Sequence, residues 1–419
     1  MENKTYLCID LKSFFASVEC VERGLDPFKT NLVVADPSRG KGAICLAITP
    51  AMKALGIHNR CRIFEIPKGV EYIASLPHMK RYMEVSADIY SVYLNYVSPD
   101  DIHVYSIDEC FLDVTQYLKM YRKTPKEMAV MLIDAVFEKT GICATAGIGT
   151  NLFLAKVALD ITAKHAPDHI GYLNNEEFRR TIQTHQPITD IWNVGRGTAK
   201  RLEKYGVFDL KGVTELPQKL LYKEFGINAE HLINHANGIE PCTISEIKNY
   251  KPKSNSLSHG QILFEDYKYE DALLVLKEMV DKQVLELVEK KLVTDSISLY
   301  IGYSKDIVRA TGGTRKIGEF TNSYKKLMGY FEALFKETTL KGYPIRKINI
   351  GFNNLQDDSM ASITLFSDIE AEEKEKKLQE AIISIKNKHG KNAVLKGISY
   401  TEKGTARARN KLIGGHNGE

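Results

Sequence analysis

Short apolar runs that lead to acidic side chains characterise the N-terminal part of the chain. Residues 6–9 (YLCI) lead to Asp10, and residues 103–107 (HVYSI) lead to Asp108 and Glu109. Runs of this length, rich in aromatic and β-branched residues, are typical of strands. The pattern therefore predicts two strands that each end at a carboxylate.

Segments whose apolar residues have helical spacing follow and separate these runs. A third apolar run at 144–149 precedes a helix that starts near Asn151, and residues 176–240 change to short helices broken by glycines. The apolar residues of another segment fall near one helical face: Met79, Tyr82, Met83, Ile89, Tyr90 and Tyr93. Strands mixed with helices in this way predict an α+β core.

The chain beyond a polar stretch at 248–255, which predicts a linker, has the pattern of a separate domain. Strand-like alternation near 260–264, 297–303 and 348–352, a further strand near 308–320, and two helical stripes give the order β-α-β-β-α-β. This order predicts a small sheet with two helices on one face. One charged helix at 369–388 and a basic segment complete the pattern.

Length and composition agree with several folded domains. A chain of 419 residues suggests two to four domains, and 43% hydrophobic with 26% charged residues is typical of soluble globular proteins. No apolar run reaches the roughly 18–20 residues of a membrane helix, and the N-terminus lacks a signal-peptide pattern, so we expect no membrane association and a cytoplasmic location. The seven cysteines contain no C-x-x-C pair and predict reduced thiols.

The positive charge is unevenly distributed. The net charge is only +4, but residues 386–411 hold eight Lys or Arg against Glu402, and residues 305–316 hold four against Asp306. Such runs suit a phosphate backbone, although a solvated basic surface explains them equally well.

The three acids are candidate metal ligands. If their strands are neighbours, Asp10, Asp108 and Glu109 converge at one edge of a sheet. Carboxylates packed together repel one another, and Mg²⁺ prefers carboxylate oxygens, so the pattern predicts a site for two Mg²⁺ ions. The alternative for each acid taken singly is that it caps a turn or lies in solvent.

Four motifs resemble those of the Y-family DNA polymerases. They are IDLKSFFASVE at 9–19, YSIDECFLD at 105–113, GIGTNLFLAKVA at 147–158 and WNVGRG at 192–197. Residues 53–57 and the ending RNKLIGGH look most like Gram-positive plasmid- and phage-associated relatives of the DNA polymerase V catalytic subunit. The resemblance spans nearly the whole chain and is weakest at 241–360.

The resemblance implies a multidomain α+β fold, a right-hand polymerase with a β-α-β-β-α-β little finger. The expected domains are a palm at 1–10 and 79–170, small fingers at 11–78, a helix-hairpin-helix thumb at 171–241, a linker at 242–252, a little finger at 253–360 and a tail at 361–419.

The resemblance also implies roles for individual residues. Asp10, Asp108 and Glu109 become catalytic metal ligands together with the Leu11 carbonyl, and Phe15 becomes the steric gate that excludes a 2′-hydroxyl. The expected dNTP-binding residues, through backbone amides or side chains, are Lys12, Ser13, Phe14, Phe15, Thr49, Lys53 and Lys156. For Phe14, ordinary core packing is the preferred interpretation.

Expected contacts with DNA lie further along the chain. The hairpin residues Val194, Gly195, Arg196 and Gly197 would present free N–H groups to a phosphate. The expected little-finger contacts are Lys305, Arg309, Arg315 and Lys316. Leu365 and Phe366 resemble the peptide by which bacterial polymerases bind the sliding clamp, although Ser362 replaces its usual Gln.

These features together predict a low-fidelity DNA polymerase that extends primers past damaged bases. Its expected ligands are primer-template DNA, dNTPs and two Mg²⁺ ions, and its expected partners are the sliding clamp and accessory SOS proteins. Nucleotide cyclases also place paired acids on a palm-like sheet, but they would need neither the hairpin nor a basic second domain. A non-catalytic DNA-binding accessory protein is the second alternative, and it would not need all three acids.

Overall fold

The chain forms two compact units in a computed structural model that describes residues 4–164, 166–252, 254–304, 307–362 and 368–418. The first unit extends to Tyr250, and the second comprises Lys251–Gly418. No helix among these described residues is both long and apolar enough to cross a membrane. All seven cysteines are free, and five of them are buried.

A five-stranded sheet forms the centre of the first unit, in the order β5-β6-β1-β7-β8. Its strands are β1 Tyr6–Leu11, β5 Ile102–Val104, β6 Glu109–Asp113, β7 Ala144–Gly149 and β8 Ile170–Leu173. The central strand β1 is antiparallel to both neighbours, β6 and β7. The expected strand at 103–107 is shorter than the sequence suggests, because the residues from Tyr105 to Asp108 turn the chain into β6.

A smaller sheet and several helices accompany the central sheet. The strands of the smaller sheet are β2 Leu32–Val34, β3 Ala47–Ile48 and β4 Ile73–Ser75. The helices of this part are α1 Phe14–Glu22, α2 Pro50–Ala54, α3 Met79–Leu94, α4 Thr115–Tyr121, α5 Pro125–Thr140 and α6 Leu152–Val157, which continues as a π-helix at Ala158–Ala163.

Helix α3 confirms the expected helical stripe in most positions. Tyr82, Ile89 and Tyr93 are buried, together with Val85, in the main core of the unit. Met83 was expected on the same face but is 51% exposed. At about 100° per residue, position 83 is turned away from the face that 82 and 89 share, so it points to solvent.

The remainder of the first unit is helical. Its helices are α7 Asn175–Thr181, α8 Arg196–Glu203, α9 Leu210–Glu215, α10 Gln218–Phe225, α11 Asn228–Ala236 and α12 Ile244–Asn249. Helix α12 lies in the stretch 242–252 that the sequence marks as a linker. Thr243 and Glu246 form a capping box at its start, and Ile244 is buried beside Tyr6 and Phe111 of the central sheet. These local and packing contacts make Ile244–Asn249 a helix within the expected linker.

The second unit confirms the order β-α-β-β-α-β. Its elements are β9 Leu257–Tyr267, α13 Tyr269–Glu289, β10 Leu292–Tyr303, β11 Thr311–Thr321, α14 Tyr324–Thr338 and β12 Ile345–Asn353. The strands form an antiparallel sheet in the order β11-β10-β12-β9, with a short strand β13 Gln356–Asp357 beside β10. Apolar side chains of both helices and of the sheet share one core.

The tail folds onto this second unit. It consists of α15 Ile369–His389, α16 Ala406–Arg409 and a small hairpin of β14 Leu412–Ile413 and β15 His416–Asn417. Helix α15 agrees with the charged helix expected at 369–388. Both α15 and α16 contact α13.

Candidate active site

The two expected strand-end acids face each other across neighbouring strands. Asp10 of β1 is paired with Glu109 of β6, and the Leu11 amide donates to the Asp108 carbonyl over 3.0 Å. The register thus brings Asp10, Asp108 and Glu109 to one end of the sheet. Asp108 lies in the turn before β6, where the Ser106 hydroxyl donates to its carboxylate over 2.7 Å. Sequence reasoning did not single out Ser106, although its position two residues before an Asp is typical of a local side-chain contact.

The electrostatics of the three acids favour a bound cation. Burial raises the pKa of Asp10 to about 8, and the charges of Glu109 and Asp108 add to the shift. Burial likewise raises the pKa of Glu109, although Lys156 opposes the shift. Ionising several neighbouring buried carboxylates is energetically unfavourable, and a hard cation stabilises their ionised form. The oxygen donor set therefore fits Mg²⁺.

The side chains do not form a closed ligand shell as they stand. Over the described ranges, no group of three His, Cys, Asp or Glu side chains is placed to hold a metal. The reason lies partly in Glu109, whose Oε1 accepts from Lys156 Nζ at 2.5 Å. Metal binding at these acids stays a prediction.

Lys156 is held among the acids. Its Nζ also lies 2.9 Å from Asp160 Oδ1, and its side chain is only 8% exposed. Burial alone would lower the pKa of Lys156, but Asp160 and Glu109 outweigh it and the pKa is raised. The predicted contact between Lys156 and a nucleotide remains a prediction, since the ammonium is bonded to carboxylates in this structure.

The motif around Lys156 explains how helix α6 approaches the sheet. A Cβ at Gly147 would lie 2.1 Å from the Ala155 carbonyl oxygen, and one at Gly149 would lie 2.1 Å from the Ala155 amide. Only glycine permits this close contact between β7 and α6. Asn151 caps the helix by accepting from the Leu154 amide over 2.8 Å.

The two adjacent phenylalanines have different surroundings. Phe14 is 2% exposed and lies in the main core. Phe15 is half-buried and stacks on Tyr82, with 4.5 Å between ring centroids and 15° between planes. The structure places Phe15, rather than Phe14, where a ligand could contact a ring face, and its role as a gate remains a prediction.

The residues between the first strand and α1 are only partly free to bind phosphate. The Lys12 amide donates to the Cys143 carbonyl over 2.9 Å, so it is used within the fold. Phe14 and Phe15 begin α1, and the first N–H groups of a helix have no partner inside the helix. Ser13 has a left-handed backbone (φ 50°), and its buried hydroxyl has no hydrogen-bond partner in the part of the chain that the structure describes.

Two lysines, Lys12 and Lys53, share the electrostatic environment of Asp10, and Lys164 acts on Lys53. Burial lowers the pKa of Lys53, while Asp10 raises it and Lys164 lowers it further. Burial also lowers the pKa of Lys12, which responds to Lys53 and Asp10 as well. Sequence reasoning missed Lys164, although it follows Lys156 by about two helical turns, a spacing that places residues on a similar face.

Thr49 contributes to the fold through a buried hydrogen bond. It is fully buried, and its hydroxyl accepts from the Leu32 amide over 3.2 Å. This bond supports strand β2, and the dNTP contact expected of Thr49 remains untested.

The hairpin at 194–197 lies at the start of an exposed helix. Val194 is buried, whereas Gly195, Arg196 and Gly197 are exposed and lead into α8. A Cβ at either glycine would meet nothing within 4 Å, so the fold leaves open space there. Just before the hairpin, Trp192 Nε1 donates to the Tyr105 hydroxyl over 3.1 Å, a contact that joins it to the segment before Asp108.

The expected basic contacts of the second unit lie on or near β11. Arg309 and Lys316 are exposed, and Arg315 pairs with Glu337 of α14. Lys305 lies outside the described residues, as do Leu365 and Phe366 of the expected clamp peptide. Their contacts remain predictions.

Comparison with known proteins places this geometry in a family. Residues 9–160 match the impB/mucB/samB family, and residues 254–365 match the C-terminal domain of that family. The chain is 32% identical to a Bacillus subtilis (strain 168) protein named for UV-damage repair, UvrX, covering 99% of this chain and 97% of the relative. It is 31% identical to DNA polymerase IV 2 of the same organism, covering 99% of both chains.

Solved structures agree on the fold. A Y-family DNA polymerase chimera matches with a TM-score of 0.64 and 22% sequence identity, covering 84% of this chain and 98% of the chimera. The acids at the strand ends, the β-α-β-β-α-β unit and full-length similarity to these relatives lead to one conclusion: the chain belongs to the impB/mucB/samB family of Y-family DNA polymerases.

Proposed function

We propose that the chain is a DNA-directed DNA polymerase that extends primers past damaged template bases. The observation that carries this function is the pairing of Asp10 with Glu109 beside Asp108 at one end of the central sheet, in a chain of this family. The reaction joins a primer 3′-hydroxyl to the α-phosphate of a dNTP and releases pyrophosphate.

The three acids have the central role in this proposal. Asp10, Asp108 and Glu109, with the Leu11 carbonyl, would hold two Mg²⁺ ions, whose chemistry is to lower the pKa of the attacking hydroxyl and to stabilise the leaving pyrophosphate. The protein contributes orientation. Ser106 holds the Asp108 carboxylate, and the β1–β6 register sets Asp10 opposite Glu109.

Positive side chains near the acids bind the triphosphate. Lys12 and Lys53 supply charge close to Asp10, Lys164 adds charge near Lys53, and the first amides of α1 supply N–H donors. Lys156 acts on Glu109 as a positioning residue through its ion pair. This assignment of roles to the lysines differs from the expectation that Lys156 itself binds the phosphate.

Phe15 selects the sugar of the incoming nucleotide. A ring packed against C2′ leaves no room for a 2′-hydroxyl, and Tyr82 supports the ring from behind by stacking. Phe14, in the core, anchors the start of α1.

Two surfaces bind the primer-template duplex. The exposed hairpin at 194–197 offers backbone contacts that do not depend on base sequence. Arg309 and Lys316, with Lys305, supply phosphate contacts from the second unit. Salt-dependent affinity is the expected signature of such contacts.

Further partners follow from the same proposal. Leu365 and Phe366 bind a sliding clamp weakly, and accessory proteins of the SOS response act with the enzyme in the cytoplasm. Replacing both residues with Ala should remove stimulation by the clamp while basal extension is unchanged. A fall in basal extension together with the melting temperature would instead identify the segment as part of the core.

A primer-extension assay tests the function. The wild-type protein, a labelled primer and templates with and without an abasic site are incubated with dNTPs and Mg²⁺, and a parallel reaction contains EDTA. We expect extension on both templates only with Mg²⁺, and none by Asp108→Ala. Binding to primer-template without extension by the wild type would favour the non-catalytic accessory protein and overturn the proposal.

A further inference from the structure

The C-terminal tail is built into the second unit through a buried carboxylate. Glu278 of α13 is 3% exposed, and its Oε2 accepts from the Thr405 amide over 2.8 Å, the Thr405 hydroxyl over 3.0 Å and the Ala406 amide over 3.1 Å. Thr405 itself is fully buried. This contact fixes the start of α16 against α13.

The same contact places Arg409 in the interior. Arg409 is 8% exposed, and its Nη1 donates to Gln261 Oε1 over 2.7 Å. Its Nε is buried and has no hydrogen-bond partner among the described residues. A buried guanidinium nitrogen without an acceptor is energetically costly, so a hydrogen bond to a bound acceptor would stabilise Arg409 in this position.

Lys282 of α13 adds a second unpaired cation. In the described part of the chain, its ammonium makes no hydrogen bond or ion pair, although the side chain is partly buried. Burial lowers the pKa of Lys282, the charges of Arg409, Lys391 and Lys386 lower it further, and Glu286 opposes the shift. Three cations of the tail therefore repel the ammonium of Lys282.

His259 of β9 lies near Lys282 and Arg409. Among the described residues its Nε2 is buried without a partner, and burial with the charges of Lys282 and Arg409 lowers the pKa of His259 to about 4, although Glu286 opposes the shift. Along β9 the side chains alternate between faces, and Leu263, on the same face as His259, is buried in the core beneath the helices. The cluster is therefore on the helix-covered side of the sheet.

The nearby acids balance only part of this positive charge. Glu286 raises the pKa of Lys282, but it also accepts from Gln283 over 3.1 Å and from Lys290 over 2.6 Å, while Asp281 pairs with Lys396 at 2.9 Å. Glu278 caps the tail through Oε2 and raises the pKa of Arg409, and its Oε1 has no hydrogen-bond partner among the described residues. Two carboxylates therefore act on four cations, and positive charge remains in excess.

We propose that Lys282, Arg409, Lys391 and His259 form a phosphate-binding site on the helix side of the second unit. Lys282 and Lys391 supply charge, and Arg409 Nε supplies a directed donor. The phosphate belongs either to a nucleic-acid strand or to a free small molecule. The tail thereby has a binding function in addition to its packing role.

A thermal-shift experiment on the full-length protein tests the site. Inorganic phosphate is titrated against chloride at matched ionic strength, and the melting temperature is recorded for the wild type, Lys282→Met and Lys277→Met. Lys277 is the matched control, because it lies on the same helix but pairs with Glu332 at 2.9 Å. We expect phosphate to stabilise the wild type and Lys277→Met, with about tenfold weaker apparent affinity for Lys282→Met.

The melting temperature measured without phosphate shows whether Lys282→Met has a folding defect. Removing an unpaired, repelled charge should leave the melting temperature of Lys282→Met equal to or above that of the wild type. An unchanged phosphate response in Lys282→Met, or a wild-type response no greater than that to chloride, would overturn the proposal.

A second titration with a short single-stranded oligonucleotide identifies the source of the phosphate. A weaker affinity of Lys282→Met for the oligonucleotide, with a salt slope smaller by about one, assigns the site to a nucleic-acid strand. Equal oligonucleotide affinities, together with the lost phosphate response, assign it to a free phosphate.

Discussion

Lys156 and Glu109 form a buried ion pair, with 2.5 Å between Nζ and Oε1. Asp160, in the π-helix that follows α6, contacts the same ammonium at 2.9 Å, so one positive charge is shared by two carboxylates. Mutation of a residue that holds a metal-binding side chain in place typically lowers metal affinity or activity by about 10–100-fold. In the proposed function, Lys156 therefore orients Glu109, while other lysines are expected to contact the triphosphate.

Lys156→Met should therefore reduce kcat about tenfold or more while the KM for dNTP changes by less than about threefold. Lys164→Met should show the opposite pattern, a higher KM with a smaller change in kcat. Single-nucleotide insertion kinetics measure both, and melting temperatures exclude unfolding. A large rise in KM for Lys156→Met would assign the triphosphate contact to Lys156 after all.

Substitution of the paired acids should separate chemistry from DNA binding. Asp10→Ala and Asp108→Ala should each lower primer extension by about 10³-fold or more, because both residues act mainly in the transition state. Affinity for primer-template, measured by fluorescence anisotropy, should stay within about twofold of the wild type. Asp113→Asn, at the far end of β6 beside Tyr6, is the control and should extend normally. Substantial extension by Asp108→Ala at saturating Mg²⁺ would show that another acid holds the metal.

Removal of the Phe15 ring should relax sugar selection. Phe15→Ala opens space for a 2′-hydroxyl, so ribonucleotide insertion relative to dNTP should rise at least about tenfold, while dNTP insertion falls modestly. Phe14→Leu is the control, and it should lower the melting temperature without changing discrimination, since Phe14 lies in the core. Unchanged discrimination in Phe15→Ala would place the gate elsewhere.

The buried carboxylate of Glu19, on helix α1, makes the stability of the fold depend on pH. The side chain is fully buried, and its carboxylate accepts from the Tyr82 hydroxyl over 2.5 Å and the Ser75 hydroxyl over 2.7 Å. Burial would raise the pKa of Glu19, but hydrogen bonds from Tyr82, His78, Ser75 and Arg23 outweigh it and lower the pKa. A lowered folded pKa contributes stability above the unfolded value of about 4.3, and that stability is lost as pH falls through the folded pKa.

Glu19→Gln should thus lower the free energy of unfolding at pH 7 by about 1–3 kcal/mol, because charged hydrogen bonds are weakened. Between about pH 5 and pH 3 the variant should lose less additional stability than the wild type. Urea unfolding at several pH values measures this difference. Glu22→Gln, a more exposed position on the same helix, should change stability by less than about 0.5 kcal/mol. Parallel pH curves for Glu19→Gln and the wild type would contradict the assignment.

The sequence alone determined the features that depend on neighbouring residues. The alternation at 297–303 and 348–352, with helical stripes between, predicted the β-α-β-β-α-β order because strand and helix periods are local. Acids directly after apolar runs predicted their place at strand ends, and the β1–β6 register confirms that Asp10 and Glu109 are neighbours.

Only the tertiary structure decided which distant side chains meet. Lys156 reaches Glu109 because glycines in β7 admit α6 against the sheet, a contact that no spacing in the sequence specifies. Glu278 accepts from the amide of Thr405, 127 residues away, and the helix that starts there places Arg409 in the interior. Such contacts depend on how whole elements pack, and the energy of a buried charge depends on every group packed around it, so local pattern cannot predict them.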